Sequence, residues 1–256
     1  MNLLPQVRSD ISASPFAWAF FCLTLLLHII WPLADGSAQA TITTLAVITL
    51  AISSWFSALR SIGATQSCTM FFVVSLVALA VEHVGFTISI PFGNYVYTEK
   101  LQPQVFGVPL AVVLAWFAMT WFMCSVVRDT RVPRYAQSVL AGLLLTTWDF
   151  FLDPQMTAVG YWIWGTTSPD LPGIPGIPLS NYLGWFASGT ALSFIVLSIA
   201  KSAHISRTLA DAVLLWTAAG GFILHAIFWK NVSVGLWGLV SMATLWFFIR
   251  KLSDTT

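Results

Sequence analysis

Long apolar runs separated by short polar segments fill most of the sequence after residue 14. A transmembrane helix needs about 20 mainly apolar residues. Eight segments approach that length: residues 15–34, 39–59, 67–89, 106–127, 135–152, 181–200, 209–229 and 232–249. The pattern predicts an all-α fold, a polytopic transmembrane helical bundle of eight spans that forms one integral membrane domain over residues 1–256.

The composition supports a membrane location. Of the 256 residues, 57% are hydrophobic and 8% are charged, and the mean hydropathy is +0.82. A soluble domain normally has about 25% charged residues, and no soluble fold of this length could bury so much apolar surface. The net charge of +1 provides no basic surface, so nucleic acid is not an expected partner.

Basic residues indicate the orientation of the spans, because positive charge collects on the cytoplasmic side of a membrane. With the N-terminus inside, nine Lys and Arg residues fall in inner segments, and two, Lys100 and Lys230, fall in outer ones. This asymmetry requires an even number of spans and predicts that both termini are cytoplasmic. Residues 90–105 and 153–180 then form two long outer loops.

Three acidic residues lie in or beside the outer halves of predicted spans: Glu82, Asp149 and Asp153. Asp149 and Asp153 are four residues apart, so they point along one helix face with Cβ atoms about 6 Å apart. An Asp at mid-span costs about 2.5–3.5 kcal/mol, which makes ionisable residues within spans functional candidates. If Glu82 faces Asp149 in a dry site, both carboxyls cannot ionise easily. One of them then keeps a proton and is a usable general acid.

Each acid also has a purely structural interpretation. Asp153 precedes Pro154, where it would mark the helix end at the aqueous edge. Asp149 would tie two helices together through a hydrogen bond, and Glu82 would be neutralised by the adjacent His83. The sequence leaves these alternatives open.

The two predicted outer loops are rich in aromatic residues and share a short pattern. Residues 90–95 and 177–182 both read Ile-Pro-x-x-Asn-Tyr, and residues 161–165 form a dense aromatic cluster. An interfacial aromatic belt explains many such residues at this depth. The same segments nevertheless bring Asn-Tyr pairs and indole rings to the membrane face that carries the acids.

Five motifs occur in one order between about residues 80 and 186. They are Phe92-Gly93-Asn94-Tyr95-Val96-Tyr97-Thr98; Gly107-Val108-Pro109-Leu110 with Ala115-Trp116; Trp148-Asp149 with Asp153-Pro154 and Met156; Trp162 with Trp164; and Ile177-Pro178 with Asn181-Tyr182 and Gly184-Trp185. Together they resemble the membrane carotenoid biosynthesis proteins. The characterised members of that family are carotenoid hydratases of the bisanhydrobacterioruberin hydratase and γ-carotene hydratase type.

The resemblance implies a hydro-lyase. Its reaction would add water across the terminal double bond of an acyclic or monocyclic carotenoid end group and give a tertiary alcohol. No redox or organic cofactor is required. Asp149, Asp153, Glu82 and nearby histidines could bind a metal, although no ligand spacing demands one. The resemblance further implies a multi-pass protein of a prokaryotic cell membrane whose partners are a long polyene substrate and the lipid bilayer. Association with other carotenoid biosynthesis enzymes stays open.

The residues suit this reaction on chemical grounds. A carboxyl kept neutral by apolar surroundings can protonate an alkene, and aromatic faces can stabilise the tertiary cation that results. We expect Asp149 to donate the proton, and Glu82 or Asp153 to position water. The candidate substrate- and water-binding residues are His83, Asn94, Tyr95, Trp148, Trp162, Trp164, Asn181, Tyr182 and Trp185. His28 and His225 lie at the same predicted depth.

Other functions fit parts of the pattern. A carotenoid cyclase or isomerase would use the same acid and cation chemistry. A non-enzymatic carotenoid or lipid carrier, or a proton-coupled transporter, would also use polar residues within spans, although internal repetition is limited to the short Asn-Tyr match. The Asp-x-x-x-Asp spacing is similar to that of magnesium-diphosphate ligands in membrane prenyltransferases. The predicted outer face lacks the basic residues that would hold a diphosphate.

Overall fold

The computed structural model describes residues 14–201 and 207–254. Within these ranges the helices are α1 (Pro15–Ile30), α2 (Gly36–Ile88), α3 (Leu110–Val127), α4 (Arg134–Ala158), α5 (Leu179–Ile199), α6 (Arg207–Ile223) and α7 (Val232–Asp254). A 3-10 turn, Trp31–Leu33, follows α1, and a π-helical turn, Leu224–Phe228, follows α6. Each of the predicted apolar runs therefore has a helical counterpart.

Helix α2 contains both the second and the third predicted span. A straight helix of its 53 residues would be about 80 Å long, whereas the hydrocarbon core of a bilayer is about 30 Å thick. Gly63 interrupts the helix with φ 78° and ψ 170°. Nothing lies within 4 Å of the position where a Cβ would stand. The positive φ of the backbone, rather than close packing, therefore favours glycine at this break.

Six helical segments in the described part of the chain are long and apolar enough to cross a membrane: Pro15–Leu33, Gly36–Ile88, Leu110–Val127, Leu179–Ile199, Arg207–Phe228 and Val232–Asp254. Helix α4 is not among them, because its two aspartates and other polar residues lower its hydropathy. The protein is an all-α membrane protein, as predicted. The count of eight spans and the cytoplasmic termini stay predictions.

The centre of the bundle is built on α3 and on the α4–α5 pair. All residues of α3 from 116 to 127 are buried. Helices α4 and α5 approach closely at Gly142, where a Cβ would lie 2.2 Å from Thr190 Oγ1 and 3.1 Å from the Phe186 carbonyl oxygen. This contact places the C-terminal turns of α4 beside the first turn of α5.

Short strands occupy the two long connections: β1 (Tyr95–Tyr97), β2 (Gln104–Val105), β3 (Val108–Pro109), β4 (Trp162–Trp164), β5 (Asp170–Leu171) and β6 (Ile174–Pro178). They form three antiparallel pairs, β1 with β4, β2 with β3 and β5 with β6. The pairing of β1 with β4 joins the two predicted outer loops, so both loops lie at one end of the bundle.

One prediction about local structure was wrong. The helix that carries the aspartates does not end before Pro154 but continues to Ala158. As a result Asp153 is not at an aqueous edge; it is 1% exposed. Proline removes one helical hydrogen bond at a cost of about 3 kcal/mol, and packing around the last turns of α4 outweighs this cost. The shared Ile-Pro-x-x-Asn-Tyr pattern stands in two different local structures, since residues 90–95 lead into a strand whereas residues 177–182 begin a helix.

Candidate active site

A cavity of about 90 Å³ lies where α2, α3, α4 and α5 meet the β1–β4 pair. Its polar lining includes two acids, Glu82 and Asp153, and the amide of Asn181. The remaining walls are largely aromatic: Phe92, Tyr95, Tyr97, Trp116, Trp162, Trp164 and Trp185. The cavity therefore combines two carboxyl groups with seven aromatic rings.

Glu82 accepts hydrogen bonds from three neutral donors. The hydroxyls of Tyr95 and Tyr97 donate to its Oε2 atom at 2.7 and 2.8 Å. The indole of Trp116 donates to Oε1 at 2.7 Å, and its ring stacks on Trp185 with centroids 4.3 Å apart. Oε1 has a single donor, so a lone pair of that oxygen is free to accept a further hydrogen bond.

Asp153 is held in a similar way from the other side of the cavity. Its Oδ1 atom accepts hydrogen bonds from the indoles of Trp162 at 2.5 Å and Trp164 at 3.3 Å, and from the hydroxyl of Thr157 at 3.3 Å. Its Oδ2 atom accepts a hydrogen bond from Asn181 Nδ2 at 2.6 Å. Both cavity acids are thus fixed by donors that carry no charge.

The β1–β4 pair explains how one small element serves both acids. Tyr95 pairs with Trp164, and Tyr97 pairs with Trp162. Because side chains alternate along a strand, these four donors share the inner face. The residues between them, Val96 and Ile163, are 53% and 56% exposed on the outer face. Cross-strand ring contacts of 5.1 and 5.9 Å between centroids fix the donors against one another.

Burial keeps the two tyrosines of β1 in their hydroxyl form. Loss of solvent contact raises the pKa of Tyr95 and Tyr97 above the ordinary phenol value, and the nearby Glu82 carboxyl raises the pKa of each further. A phenol that keeps its proton remains a donor, so both hydrogen bonds to Glu82 persist across the physiological pH range.

Asp149 lies behind this wall. It is fully buried and accepts a 2.6 Å hydrogen bond from Asn181 Nδ2, the same amide nitrogen that donates to Asp153. Its Oδ1 atom is buried without a hydrogen-bond partner among the described residues. Asp149 lines neither this cavity nor the adjoining one. The two aspartates are therefore linked through one side-chain amide, and Asp153 is the member that reaches the cavity.

No basic side chain compensates these acids in residues 14–201 and 207–254. The salt bridges there join Asp211 to Arg207 and to Arg250, on α6 and α7. In the same ranges no group of three or more His, Cys, Asp and Glu side chains has an arrangement that could hold a metal ion.

A second cavity of about 350 Å³ adjoins the first. The two cavities share five lining residues: Thr43, Val47, Ala115, Leu152 and Met156. The second cavity is mainly apolar and lies between α1, α2, α3, α4 and α6. Trp148 lines this cavity. His28 lies on its rim, where its Nδ1 atom accepts a 3.0 Å hydrogen bond from the indole of Trp216.

Comparison with known proteins adds to this geometry. A family model described as carotenoid biosynthesis protein matches residues 38–249. The chain belongs to the carotenoid biosynthesis protein family. The match begins in α2 and ends in α7, so it extends well beyond the motifs between residues 80 and 186.

Within this carotenoid biosynthesis family, the chain is similar to bisanhydrobacterioruberin hydratase of Haloarcula japonica, with 28% identity over 190 residues. The match covers 68% of this chain and 61% of that relative, so the chain spans about three fifths of the relative's length. No solved structure matches the chain.

Some predicted site residues of this family member do not reach the cavity. His83 is exposed, and its Nδ1 atom contacts the Phe106 carbonyl oxygen at 3.0 Å, so it does not neutralise Glu82. Asn94 is also exposed, and its backbone carbonyl accepts a hydrogen bond from Gly165. Tyr182 is buried in a separate apolar cluster. Successive helical residues point about 100° apart, which explains why the neighbours of Glu82 and Asn181 face elsewhere.

The structure also brings in residues outside the predicted set. Tyr97 and Trp116 donate to Glu82, and Thr157 donates to Asp153. For Tyr97 the sequence contained a clue, since Tyr-x-Tyr and Trp-x-Trp both have the two-residue period of a strand face. His225 is buried but lines neither cavity, and its Nε2 atom donates to the Phe151 carbonyl at 2.9 Å.

Proposed function

We propose that this protein is a carotenoid hydratase that adds water to the terminal double bond of an acyclic or monocyclic end group. The observation that carries the proposal is the small aromatic cavity with Glu82 and Asp153 on its walls, each held by neutral donors. The mixture of aromatic walls and two carboxyl groups in this cavity suits the reacting end of an isoprenoid chain in polarity. The family and the similarity to a hydratase support a carotenoid as the substrate.

The acid in this proposal is the Asp149–Asp153 pair. Two carboxyls that share one amide and face no cation do not both ionise readily, so the pair holds one proton. Asp153 lines the cavity and therefore delivers this proton to the alkene. Asp149 lies behind Asp153 and holds either the negative charge or the proton of the pair. This differs from the sequence-based expectation that Asp149 itself contacts the substrate, which stays untested.

The reaction then balances without a further reagent. The proton forms a C–H bond at the less substituted alkene carbon and leaves a tertiary cation next to it. The indole rings of Trp116, Trp162 and Trp185 stabilise this cation through their faces. A water molecule held by Glu82 Oε1 forms the new C–O bond, and the proton that it releases passes by way of Glu82 to the Asp149–Asp153 pair. One water has been added, and the acid is restored.

The proposal also includes the placement of the chain in a membrane. Eight spans with cytoplasmic termini, forming one domain in a prokaryotic cell membrane, would put the cavity in the outer leaflet. Two features support this orientation: the long loops meet at the cavity end, and Arg128 caps the Ala200 and Lys201 carbonyls at the other end. The end group of a long polyene would then reach the acids from within the bilayer.

Pigment analysis tests the function. The protein would be expressed in a host that makes an acyclic or monocyclic carotene, with the Asp153→Asn variant as a matched control. We expect a product heavier by one water from the natural protein and none from the variant. A product of unchanged mass would indicate cyclisation or isomerisation instead. Unchanged pigment with confirmed membrane expression would reject an enzymatic role on these substrates and favour a carrier.

A further inference from the structure

The second, larger cavity suggests where the rest of the substrate lies. We infer that it holds the polyene segment next to the reacting end and that Gly220 of α6 forms the wall that leaves room for this segment. The inference rests on the proposed function for the identity of the ligand. It adds a binding subsite on helices that lie outside the motif-bearing region.

The two cavities adjoin along one wall. The five residues that line both cavities belong to α2, α3 and α4, so these helices form the boundary between the small cavity and the large one. In the inferred arrangement, a chain whose end group reaches Asp153 passes across this boundary into the larger cavity. Among the residues that the structure describes, only His28, Thr43, Gln155 and Thr217 provide polar side chains there apart from indoles. A conjugated hydrocarbon is chemically suited to such walls.

The volume of the second cavity limits how much of a carotene it can hold. A protein cavity of about 150 Å³ can bind benzene, so by proportion about 350 Å³ holds on the order of fourteen carbons. This is about a third of a carotene, so most of the chain must continue outside the cavity. Three residues that line the cavity are 44–55% exposed on the bundle surface: Ile29 of α1, Ile223 at the end of α6 and Phe228 in the π-helical turn that follows. The chain therefore leaves between α1 and α6 into the surrounding lipid.

Two adjacent glycines of α6, Gly220 and Gly221, differ in role. A Cβ at Gly221 would lie 2.6 Å from the Phe151 ring, so that glycine is required for helix packing. A Cβ at Gly220 would meet only the Trp216 ring, at 3.4 Å or more. Packing therefore permits a side chain at Gly220, and a large one would occupy the cavity that Gly220 lines.

Pigment retention tests the subsite independently of catalysis. The natural protein and three variants, Gly220→Ala, Gly220→Phe and Leu215→Phe, would be purified from a host that makes an acyclic carotene. Bound pigment per protein would be measured from visible absorbance. Leu215 is 51% exposed on the outer face of α6 and lines neither cavity, so Leu215→Phe controls for added bulk on the same helix.

We expect Gly220→Phe to lower the affinity for pigment about tenfold or more. Each pigment carbon that the new phenyl ring displaces from the cavity is no longer buried, and this weakens binding about fourfold. Leu215→Phe should retain pigment within about twofold of the natural protein, and Gly220→Ala should lose less pigment than Gly220→Phe. Normal retention by a well-folded Gly220→Phe protein would overturn the inference, as would equal loss in Leu215→Phe. If Gly220→Phe fails to fold, Gly220→Ala and Gly220→Leu are compared instead. Bound pigment that decreases from Gly220→Ala to Gly220→Leu supports the inference, and equal retention in the two variants overturns it. Because retention needs no chemistry, absence of hydrated product would reject the proposed function and leave this inference standing.

Discussion

The two tyrosines of β1 offer a sharp test of the role of Glu82. Tyr95→Phe and Tyr97→Phe each remove a single hydroxyl that donates to Glu82 Oε2 at 2.7 or 2.8 Å. A hydrogen bond to a charged group contributes about 1.5–3 kcal/mol. If Glu82 acts as a carboxylate in the transition state, each substitution should lower kcat about 10- to 150-fold. KM should change little, because the hydroxyls act through Glu82 rather than on the polyene.

The double variant Tyr95→Phe/Tyr97→Phe tests the same role of Glu82 more strictly. In the single variants Oε2 keeps one of its two donors, whereas in Tyr95→Phe/Tyr97→Phe it has neither. The combined loss of activity should therefore exceed the product of the two single effects, as expected for residues that share a partner. The measurement is the initial rate of hydrated carotenoid formation per amount of folded membrane protein.

Tyr161→Phe is the matched control. Tyr161 is also buried at the cavity end of the bundle, but its hydroxyl bonds to Thr43 Oγ1 at 3.0 Å and contacts no carboxyl. Loss of the Tyr161 hydroxyl should lower the free energy of unfolding by about 0.5–1.5 kcal/mol and leave kcat within about twofold of the value of the natural protein. Double-variant activity equal to that of Tyr161→Phe would refute a charged, catalytic Glu82.

Three further predictions concern the acid pair, the helix contact and metal dependence. Asp153→Asn should lower the rate about 10²- to 10⁴-fold, the usual contribution of a general acid, and Asp149→Asn should also abolish most activity while the protein remains folded. Full activity of Asp149→Asn would remove Asp149 from the acid pair. Gly142→Ala should destabilise the protein by about 1–3 kcal/mol in thermal unfolding, because its Cβ would overlap the α5 backbone, whereas Gly220→Ala should not. Hydration rates should be insensitive to strong chelators, and inhibition that added metal reverses would contradict direct acid catalysis.

The sequence was sufficient to predict most of the helical architecture. Hydropathy alone located the helical segments, and the alternation of the predicted spans put Glu82, Asp149 and Asp153 in one predicted layer. In the structure Glu82 and Asp153 line the same cavity. The pairing of β1 with β4 was not predictable, because contacts between residues more than 60 positions apart have no local pattern. For the same reason the sequence favoured Asp149 over Asp153 as the proton donor, whereas in the structure Asp153 lines the cavity and Asp149 lies behind it. The course of α4 beyond Pro154 likewise depends on tertiary packing, which outweighed the local preference of proline to end a helix.

The β1–β4 pair makes the hydrogen bonds to Glu82 and Asp153 depend on strand register. Displacing either strand by one residue would turn its hydrogen-bond donors toward the outside and bring Val96 or Ile163 into the cavity. Glu82 or Asp153 would then lose two donors in one step. Length changes are therefore far more damaging within the strands than in the connections that flank them. Over evolutionary time, the outer face of the pair is free to diversify, whereas single-residue insertions or deletions in β1 or β4 would be eliminated.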